Sequence, residues 1–227
     1  MQTATKNGSN RAKSDRARID DKPVAQRVVV PAANMLTAEF KLIGTAPYVQ
    51  CRFSEKAINQ IRATQAAGSQ AKVRKVRDAK DFAAAFESAK HVMENGKCGI
   101  PAGAFRNAMI SACRLIGFKM TLAKLAVFVQ ADGFDVVDGV PLVVIDGKPE
   151  QHEMMGRNAN GSVDLRVRAI FRKWSVKLRV NFDADVFSIT DVSNLLSRVG
   201  RQVGIGEGRP DSRNSAGMGW GTFEIEG

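Results

Sequence analysis

The chain has 227 residues, of which 44% are hydrophobic and 25% charged, so it is long enough to bury a core as one large domain. Its 34 Lys and Arg outnumber its 23 Asp and Glu, and the net charge of +11 favours a polyanionic partner, nucleic acid before membrane. No apolar run approaches the roughly 18 residues of a membrane span, and the N-terminus lacks a signal-peptide core, so we expect a cytoplasmic protein.

The first 27 residues contain seven Lys or Arg, three Asp and almost no apolar side chains. This composition predicts a basic arm that is disordered when unbound, because it has too little apolar surface to fold alone. The arm either holds nucleic acid or is a solvated tail. We expect residues 28–227 to form a single domain with insertions at about 54–96 and 121–162.

The domain begins with an apolar strand near Ala38, in the segment AEFKLIGTAPYV, which breaks around Gly44 and Pro47. The insertion that follows is mostly polar, and apolar residues at helical spacing predict that part of it is helical. We interpret His91, near its end, as a solvated side chain. The basic segment AKVRKVRDAK within it supplies three candidate nucleic-acid ligands, Arg74, Lys75 and Arg77.

A helix is predicted in PAGAFRNAMISACRLIG, because Pro101 suits its start, Gly117 suits its end and apolar residues recur at helical spacing. Residues 121–150 then alternate short apolar runs with three Asp-Gly pairs, which predict hairpins.

The segment VDLRVRAIFRKWSVKLRVNF, residues 163–182, alternates with period two in both halves and predicts a β-hairpin that turns at Arg172 and Lys173. In that register Trp174 faces the core. The other face pairs cation with cation, Arg166 opposite Arg179 and Arg168 opposite Lys177. Like charges opposite one another destabilise a sheet, so these pairs predict a surface for phosphates, the alternative being side chains that splay into solvent.

The segment ITDVSNLLSRVG predicts a second helix, with Thr190 or Asp191 near its N-cap and Gly200 after its end. The tail WGTFEIE is typical of a strand. The resulting order of strand, insertion, helix, hairpins, helix, loop and strand predicts an α+β fold with a ferredoxin-like, or RRM-like, βαββαβ core. In such a unit the helices cover one face of the sheet.

The loop before the last strand places six glycines in the eighteen positions from Gly204 to Gly221. Glycine allows positive φ and close approach of the backbone to a partner. The loop contains neither a G-x-G-x-x-G turn that opens a helix nor the Gly-Lys-Ser/Thr of a phosphate-binding P-loop. Trp220, flanked by glycines, is a candidate for stacking on a base.

The segment GIPAGAFRNAMISACR resembles the I-P-G-S-S-L-K-G-x-L-R segment of the RAMP superfamily, the ferredoxin-like RNA-binding subunits of CRISPR effector complexes. GIGEGRPDSRNSAGMGWGTFEIE resembles the C-terminal loop and last strand of that superfamily, and KLIGTAPYVQ is similar to its first strand. The likeness is greatest to the backbone subunits that polymerise along a guide RNA, and it covers residues 38–50, 99–117 and 190–226. APYVQCRFSEKA is similar to phage-encoded proteins that are distant members.

The resemblance implies that the glycine-rich loop lies beside the bound strand. In the helix segment, Arg106 stands where the family has lysine and implies a cationic contact. With Arg106, the candidate ligands of this region are Gly204, Gly206, Gly208, Arg209, Arg213, Gly217, Gly219 and Trp220.

Catalysis and metal binding have little support in the sequence. His152 would be a loop general base beside Glu150 or Glu153, but it has no partner at a fixed spacing. HEMMG lacks the second histidine of a zinc motif, and the aspartates of residues 132–138 lack the spacing of an EF-hand. The three cysteines form no CxxC pair and predict reduced, buried thiols. We expect no cofactor, no metal and no enzymatic activity.

The sequence therefore predicts a non-enzymatic, largely sequence-independent subunit that binds single-stranded nucleic acid, RNA before DNA, and forms a homo-oligomer or filament along the strand. A phage protein that coats or anneals single-stranded DNA is the first alternative. An endoribonuclease that uses His152 and a mimic that interferes with a CRISPR complex are the others.

Overall fold

The computed structural model describes residues 29–52, 55–66, 81–157, 161, 163–212 and 216–227. Contacts divide the chain into two units, residues 1–32 and residues 33–227. In the first unit only residues 29–32 are described, as an exposed irregular segment, so the predicted basic arm lies outside the described residues. The second unit is a mixed α+β structure with antiparallel sheets.

The second unit is built from strands and helices, each numbered in chain order. The strands are β1 (Met35–Gly44), β2 (Tyr48–Gln50), β3 (Gly99–Pro101), β4 (Val127–Val129), β5 (Gly133–Phe134), β6 (Pro141–Asp146), β7 (Pro149–Arg157), β8 (Val163–Phe171), β9 (Ser175–Asp183) and β10 (Phe223–Ile225). The helices are α1 (Glu55–Ala66), α2 (Phe82–Ala89), α3 (Ala102–Ala112), α4 (Met120–Ala126) and α5 (Ile189–Arg198). A 3₁₀ turn, Cys113–Ile116, continues α3, and a π-helical turn, Val199–Val203, continues α5.

The strands form two sheets. The central sheet has the order β10-β1-β9-β6-β3, with β4 also paired to β9 and β5 to β6. The smaller sheet has the order β2-β8-β7. Every pairing in both sheets is antiparallel. No helix in the described part of the chain is long and apolar enough to span a membrane.

Helices α3 and α5 pack on the central sheet because each presents an apolar stripe at helical spacing. Phe105 and Met109 of α3 and Leu196 of α5 are fully buried in one cluster with Leu42 of β1 and Leu178 of β9. Residues that alternate with these strand positions point to the other face, which carries charged and polar side chains. The burial of this cluster is the main source of stability in the second unit.

Both predicted helices are present, but the second has different ends. As predicted, α3 follows Pro101, and its 3₁₀ extension ends at Gly117, which has a φ of 67°. The N-cap of α5 is Ser188, which forms a capping box with Asp191, so the helix begins before the predicted cap. Gly200 does not end this helix. It lies buried in the π-helical turn against the backbone of Phe223, where a side chain has no room.

The predicted hairpin of residues 163–182 is wrong in its pairing. Both strands exist as β8 and β9, and the chain turns between them at residues 172–174, but β8 pairs with β7 and β2 while β9 pairs with β1, β4 and β6. Trp174 occupies the corner, where its indole N–H donates to the Ala46 carbonyl (2.8 Å) and its ring packs on Tyr48 and Phe223. Its predicted burial is confirmed. The chain therefore passes from one sheet to the other at this corner.

The segment of the three Asp-Gly pairs is only partly a set of hairpins. Asp138 and Gly139 lie in the loop of the β5–β6 hairpin, as predicted. Asp146 and Gly147 instead connect β6 to β7, which belong to different sheets, and α4 was not predicted at all. In the other insertion, α1 and α2 confirm the predicted partial helicity.

Candidate functional site

Helix α3 and the glycine-rich loop meet around a cleft of about 250 Å³, which we call the α3 cleft. Helical spacing places Asn107 and Ser111 of α3 on the same side, toward the loop. The loop contributes Gly204, Gly206 and Arg209, three of the ligands predicted from sequence. The structure thus brings together two segments that lie about a hundred residues apart in the sequence.

Hydrogen bonds across the α3 cleft hold the loop against the helix. Ser111 donates its hydroxyl to the carboxylate of Asp211, and Arg114 donates to the same oxygen over 2.6 Å. The Ser111 hydrogen bond has the largest effect and lowers the pKa of Asp211; burial opposes it, and the Arg114 hydrogen bond adds to the lowering. Arg209 donates to the Gly206 carbonyl over 3.1 Å. The cleft therefore combines polar donors with one ionised carboxylate.

The glycines of the loop have the positive φ that the sequence led us to expect, and two of them show why. A Cβ on Gly206 (φ 79°) would lie 2.6 Å from the Val49 carbonyl oxygen, and one on Gly208 (φ 75°) would lie 2.8 Å from the ring of Trp220. The need for glycine at these two positions thus comes from packing within the protein. The predicted glycines with positive φ are Gly204, Gly206, Gly208, Gly217 and Gly219.

The cationic face predicted for a β8–β9 hairpin does not exist, because those strands lie in different sheets. Arg168 stands opposite His152 and forms an ion pair with Glu207 of the loop, with Nη2 3.2 Å from Oε1. The two cations of β9 pair with acidic residues of the central sheet and its adjoining loop: Lys177 with Glu39 (3.2 Å) and Arg179 with Asp132 (2.5 Å).

Two further predicted ligands contact other parts of the fold. Arg106 donates to the carbonyls of Val127 (2.9 Å) and Lys124, and its guanidinium lies over the Phe128 ring, 4.8 Å from the centroid. It thus joins α3 to α4 and β4. The guanidinium of Arg166 covers Gly156, so close that a Cβ there would clash with it. Four predicted ligands lie outside the described residues: Arg74, Lys75, Arg77 and Arg213.

Trp220 is half-exposed beside the glycine-rich loop and meets His152 edge to face, with 5.7 Å between ring centroids. His152 lies in strand β7, so its predicted position in a loop is wrong. Glu150 accepts a hydrogen bond from Arg172 and Glu153 accepts one from Gln151. The two carboxylates proposed to assist His152 therefore have other partners.

A second cluster was missed by the sequence interpretation. His91 is buried, so its predicted solvation is wrong, and its Nδ1 lies 2.8 Å from a carboxylate oxygen of buried Asp135. Arg52 Nη1 lies 3.6 Å from the other oxygen, which accepts the Val137 N–H over 2.8 Å. Burial raises the pKa of Asp135, but the hydrogen bonds of Val137 and His91 outweigh it, and the pKa is lowered. No short-range motif links these residues, so no local signal predicts the cluster.

Arg52 and His91 of this cluster line a cleft of about 350 Å³, which we call the His91 cleft. His91, Asp135 and Asp138 offer ligand atoms within 4.8 Å of one another, as a metal site would require. The donor set does not fit a cation, since the Asp135 carboxylate already pairs with His91 and faces the positive charge of Arg52. The lining residues are Cys51, Arg52, Ile58, Ile61, Arg62, His91 and Asp138.

The three cysteines are free thiols in different environments. Cys113 is buried, as predicted, whereas Cys98 is half-buried and Cys51 is exposed. No protein-family profile matches the chain, and no curated protein matches it.

Proposed function

We propose that the protein is a cytoplasmic, non-enzymatic subunit that binds single-stranded nucleic acid, RNA in preference to DNA, and assembles side by side along the strand. The observation that carries this proposal is the α3 cleft. It joins two of the three segments on which the resemblance to RAMP proteins depends, in a chain with a net charge of +11.

The strand order supports a ferredoxin-like core. If β1, β6, β9 and β10 are counted as strands one to four, their order in the central sheet is 4-1-3-2. Helix α3 then lies between strands one and two, and α5 lies between strands three and four. This order supports an antiparallel βαββαβ unit, with the remaining elements proposed as insertions into it.

The chemistry of the α3 cleft suits a phosphodiester backbone. Phosphates in nucleic-acid complexes are bound by Arg, Ser, Asn and backbone N–H groups, and Asn107, Ser111 and Arg209 supply the first three. Asp211 now accepts hydrogen bonds from Ser111 and Arg114. A phosphate oxygen is an acceptor of the same charge, so the strand competes with Asp211 for these donors.

The face of the central sheet opposite helices α3 and α5 is a less suitable surface for nucleic acid. Base-stacking RNA-binding sheets use exposed aromatic side chains. Here β1 and β9 place Glu39, Lys41, Lys177 and Arg179 on that face, where cations alternate with acidic partners. We therefore assign the strand to the α3 cleft, with Trp220 at the edge of the loop as the stacking side chain.

Filter binding with RNA, single-stranded DNA and duplex of matched sequence tests the proposal. Arg209→Gln should weaken binding to all sequences alike and reduce the slope of log affinity against log salt by about one, because one phosphate contact is lost. Arg172→Gln, at an exposed residue paired with Glu150, is the matched control and should leave the slope unchanged. Binding of no strand would overturn the function, and equal slopes for the two variants would remove the α3 cleft from it.

The same preparations separate the alternatives. Tighter binding to single-stranded DNA would favour a coating or annealing protein. Cleavage of the labelled RNA that disappears in His152→Ala would replace the non-enzymatic proposal with an endoribonuclease.

A further inference from the structure

The His91 cleft has a lining of mixed chemistry that the proposed function leaves unused. Ile58 and Ile61 stand three residues apart on α1, so they share a face and give the cleft an apolar wall. Arg52, Arg62 and His91 add hydrogen-bonding nitrogens, and Asp138 adds an acceptor. An apolar wall with a few convergent polar groups is the general composition of a small-ligand site.

Among the described residues, one polar group beside the cleft lacks a hydrogen-bond partner. The guanidinium of Arg52 donates through Nε to the carbonyls of Ser88 (3.2 Å) and Lys90 (3.0 Å), which fixes its position. Its Nη1 is buried and has no hydrogen-bond partner among the described residues, since Asp135 at 3.6 Å is beyond hydrogen-bond distance. Buried donors are rarely left unsatisfied, and the exceptions call for an explanation such as a bound ligand.

The balance of charge indicates what kind of ligand fits. Arg52 offsets the buried charge of Asp135, and Arg62 and Asp138 line the cleft with opposite charges, so the cleft favours neither a free anion nor a metal ion. A flat, neutral ring with both donors and acceptors on its edge suits such a lining. A nucleobase has this form, and a cleft of about 350 Å³ is large enough for one base.

The His91 cleft also lies next to the glycine-rich loop. Cys51 lines the cleft as an exposed residue whose thiol is partly buried. This burial raises the pKa of the thiol, the charge of Arg168 lowers it and the charge of Glu207 raises it. Glu207 belongs to the loop, and its N–H donates to the Val49 carbonyl (2.9 Å), two residues before Cys51. A strand beside the loop is therefore within reach of the cleft.

We infer that the His91 cleft binds one unstacked nucleobase of the bound strand, with the ring against Ile58 and Ile61 and its edge on Arg52, Arg62 and Asp138. The inference rests on the proposed function, since it names how that function engages a base. Single-stranded RNA is commonly recognised through bases that are splayed out of the stack and hydrogen-bonded on their edges.

Alkylation of Cys51 tests the site without any need for strand binding. The full chain is treated with N-ethylmaleimide in the presence of GMP, AMP, CMP, UMP or inorganic phosphate, and the modified cysteines are located by mass spectrometry. At least one nucleotide should abolish modification of Cys51 at saturation, while the half-buried Cys98 reacts at its usual rate. Protection by phosphate alone would identify an anion site and overturn the inference, as would no protection by any nucleotide.

A second measurement separates this inference from the proposed function. Replacing the bases of an oligonucleotide with abasic sites should weaken binding about tenfold per base site, the usual effect of losing a bound base. In Arg62→Gln the loss of affinity caused by abasic sites should be smaller. In Arg198→Gln, an exposed control on α5, that loss should be the same as in the wild type. Strand binding that is unaffected by abasic sites would contradict the base site and the stacking role of Trp220, and would leave the phosphate contacts of the α3 cleft intact. Loss of all strand binding in the wild-type chain would sink the proposed function.

Discussion

Arg168 of β8 and Glu207 of the glycine-rich loop form an ion pair with two hydrogen bonds, and their side chains are only 13% and 29% exposed. The pair fastens the loop to the smaller sheet. A residue predicted to bind phosphate thus binds a carboxylate of the protein itself. The Glu207 backbone strengthens this attachment, because its N–H donates to the Val49 carbonyl.

Removing one partner of this pair should destabilise the protein. Glu207→Gln leaves the half-buried Arg168 guanidinium without its counter-charge, so we expect the free energy of unfolding to fall by about 2 kcal/mol. Urea denaturation followed by circular dichroism measures the change. Glu150→Gln, which breaks the exposed pair with Arg172, should cost less than about 0.5 kcal/mol. Equal losses in the two variants would show that the Arg168–Glu207 pair has no special role.

Two loop glycines of similar φ offer a matched test of the α3 cleft. Gly206→Ala places a methyl group 2.6 Å from a backbone oxygen, so the loop must shift, and we expect both a loss of more than about 2 kcal/mol and weaker strand binding. Gly219→Ala meets none of the described atoms within 4 Å, so only backbone strain of about 1 kcal/mol is expected and binding should persist. Denaturation and filter binding of both variants provide the comparison, and a Gly206→Ala protein with unchanged affinity would argue against the loop as part of the site.

The parts of the fold that sequence predicted are those with local signals. Pro101 and Gly117 mark the ends of α3 and its extension, because capping and helix termination act within a few residues. The alternation in β8 and β9 predicts strands, but it carries no information about their partners, and the hairpin between them was an incorrect choice of neighbour. The ion pair of Arg168 with Glu207 depends on the position of β8 in the smaller sheet, so the sequence alone could not predict it.

The same limit applies to the site. Both segments that line the α3 cleft were singled out in the sequence, but the contact between them was not predicted. His91 and Asp135, in contrast, meet only through the packing of the insertion against the loop before β6, and no periodicity or motif joins residues 44 positions apart.

Acid should destabilise the protein partly through Asp135. Its pKa is lowered in the folded state, so the unfolded state binds more protons, and the stabilisation is present above the ordinary carboxyl pKa of about 4 and lost as pH falls through the folded value. Asp135→Asn should lower the free energy of unfolding by about 2 kcal/mol at pH 7 and flatten its decline below about pH 4. Urea denaturation across that range measures both.

Asp138→Asn, in the same loop but exposed, is the control and should retain the acid decline of the wild type. If the free energy of unfolding of Asp135→Asn fell with acid as steeply as that of the wild type, the ion pairs of Asp135 with His91 and Arg52 would contribute nothing to the pH dependence.

Assembly along the strand follows from the proposed function and has its own readout. Each added subunit gains contacts with its neighbour as well as with phosphates, so binding should be cooperative and proceed in steps of constant site size as the oligonucleotide lengthens. Mass photometry on RNA of one, two, four and eight site lengths counts the subunits on each strand. Deleting residues 68–80, which include Arg74, Lys75 and Arg77, should lower the cooperativity more than the affinity for a one-site strand. A single subunit per strand at saturation on the longest RNA would overturn the filament while leaving strand binding intact.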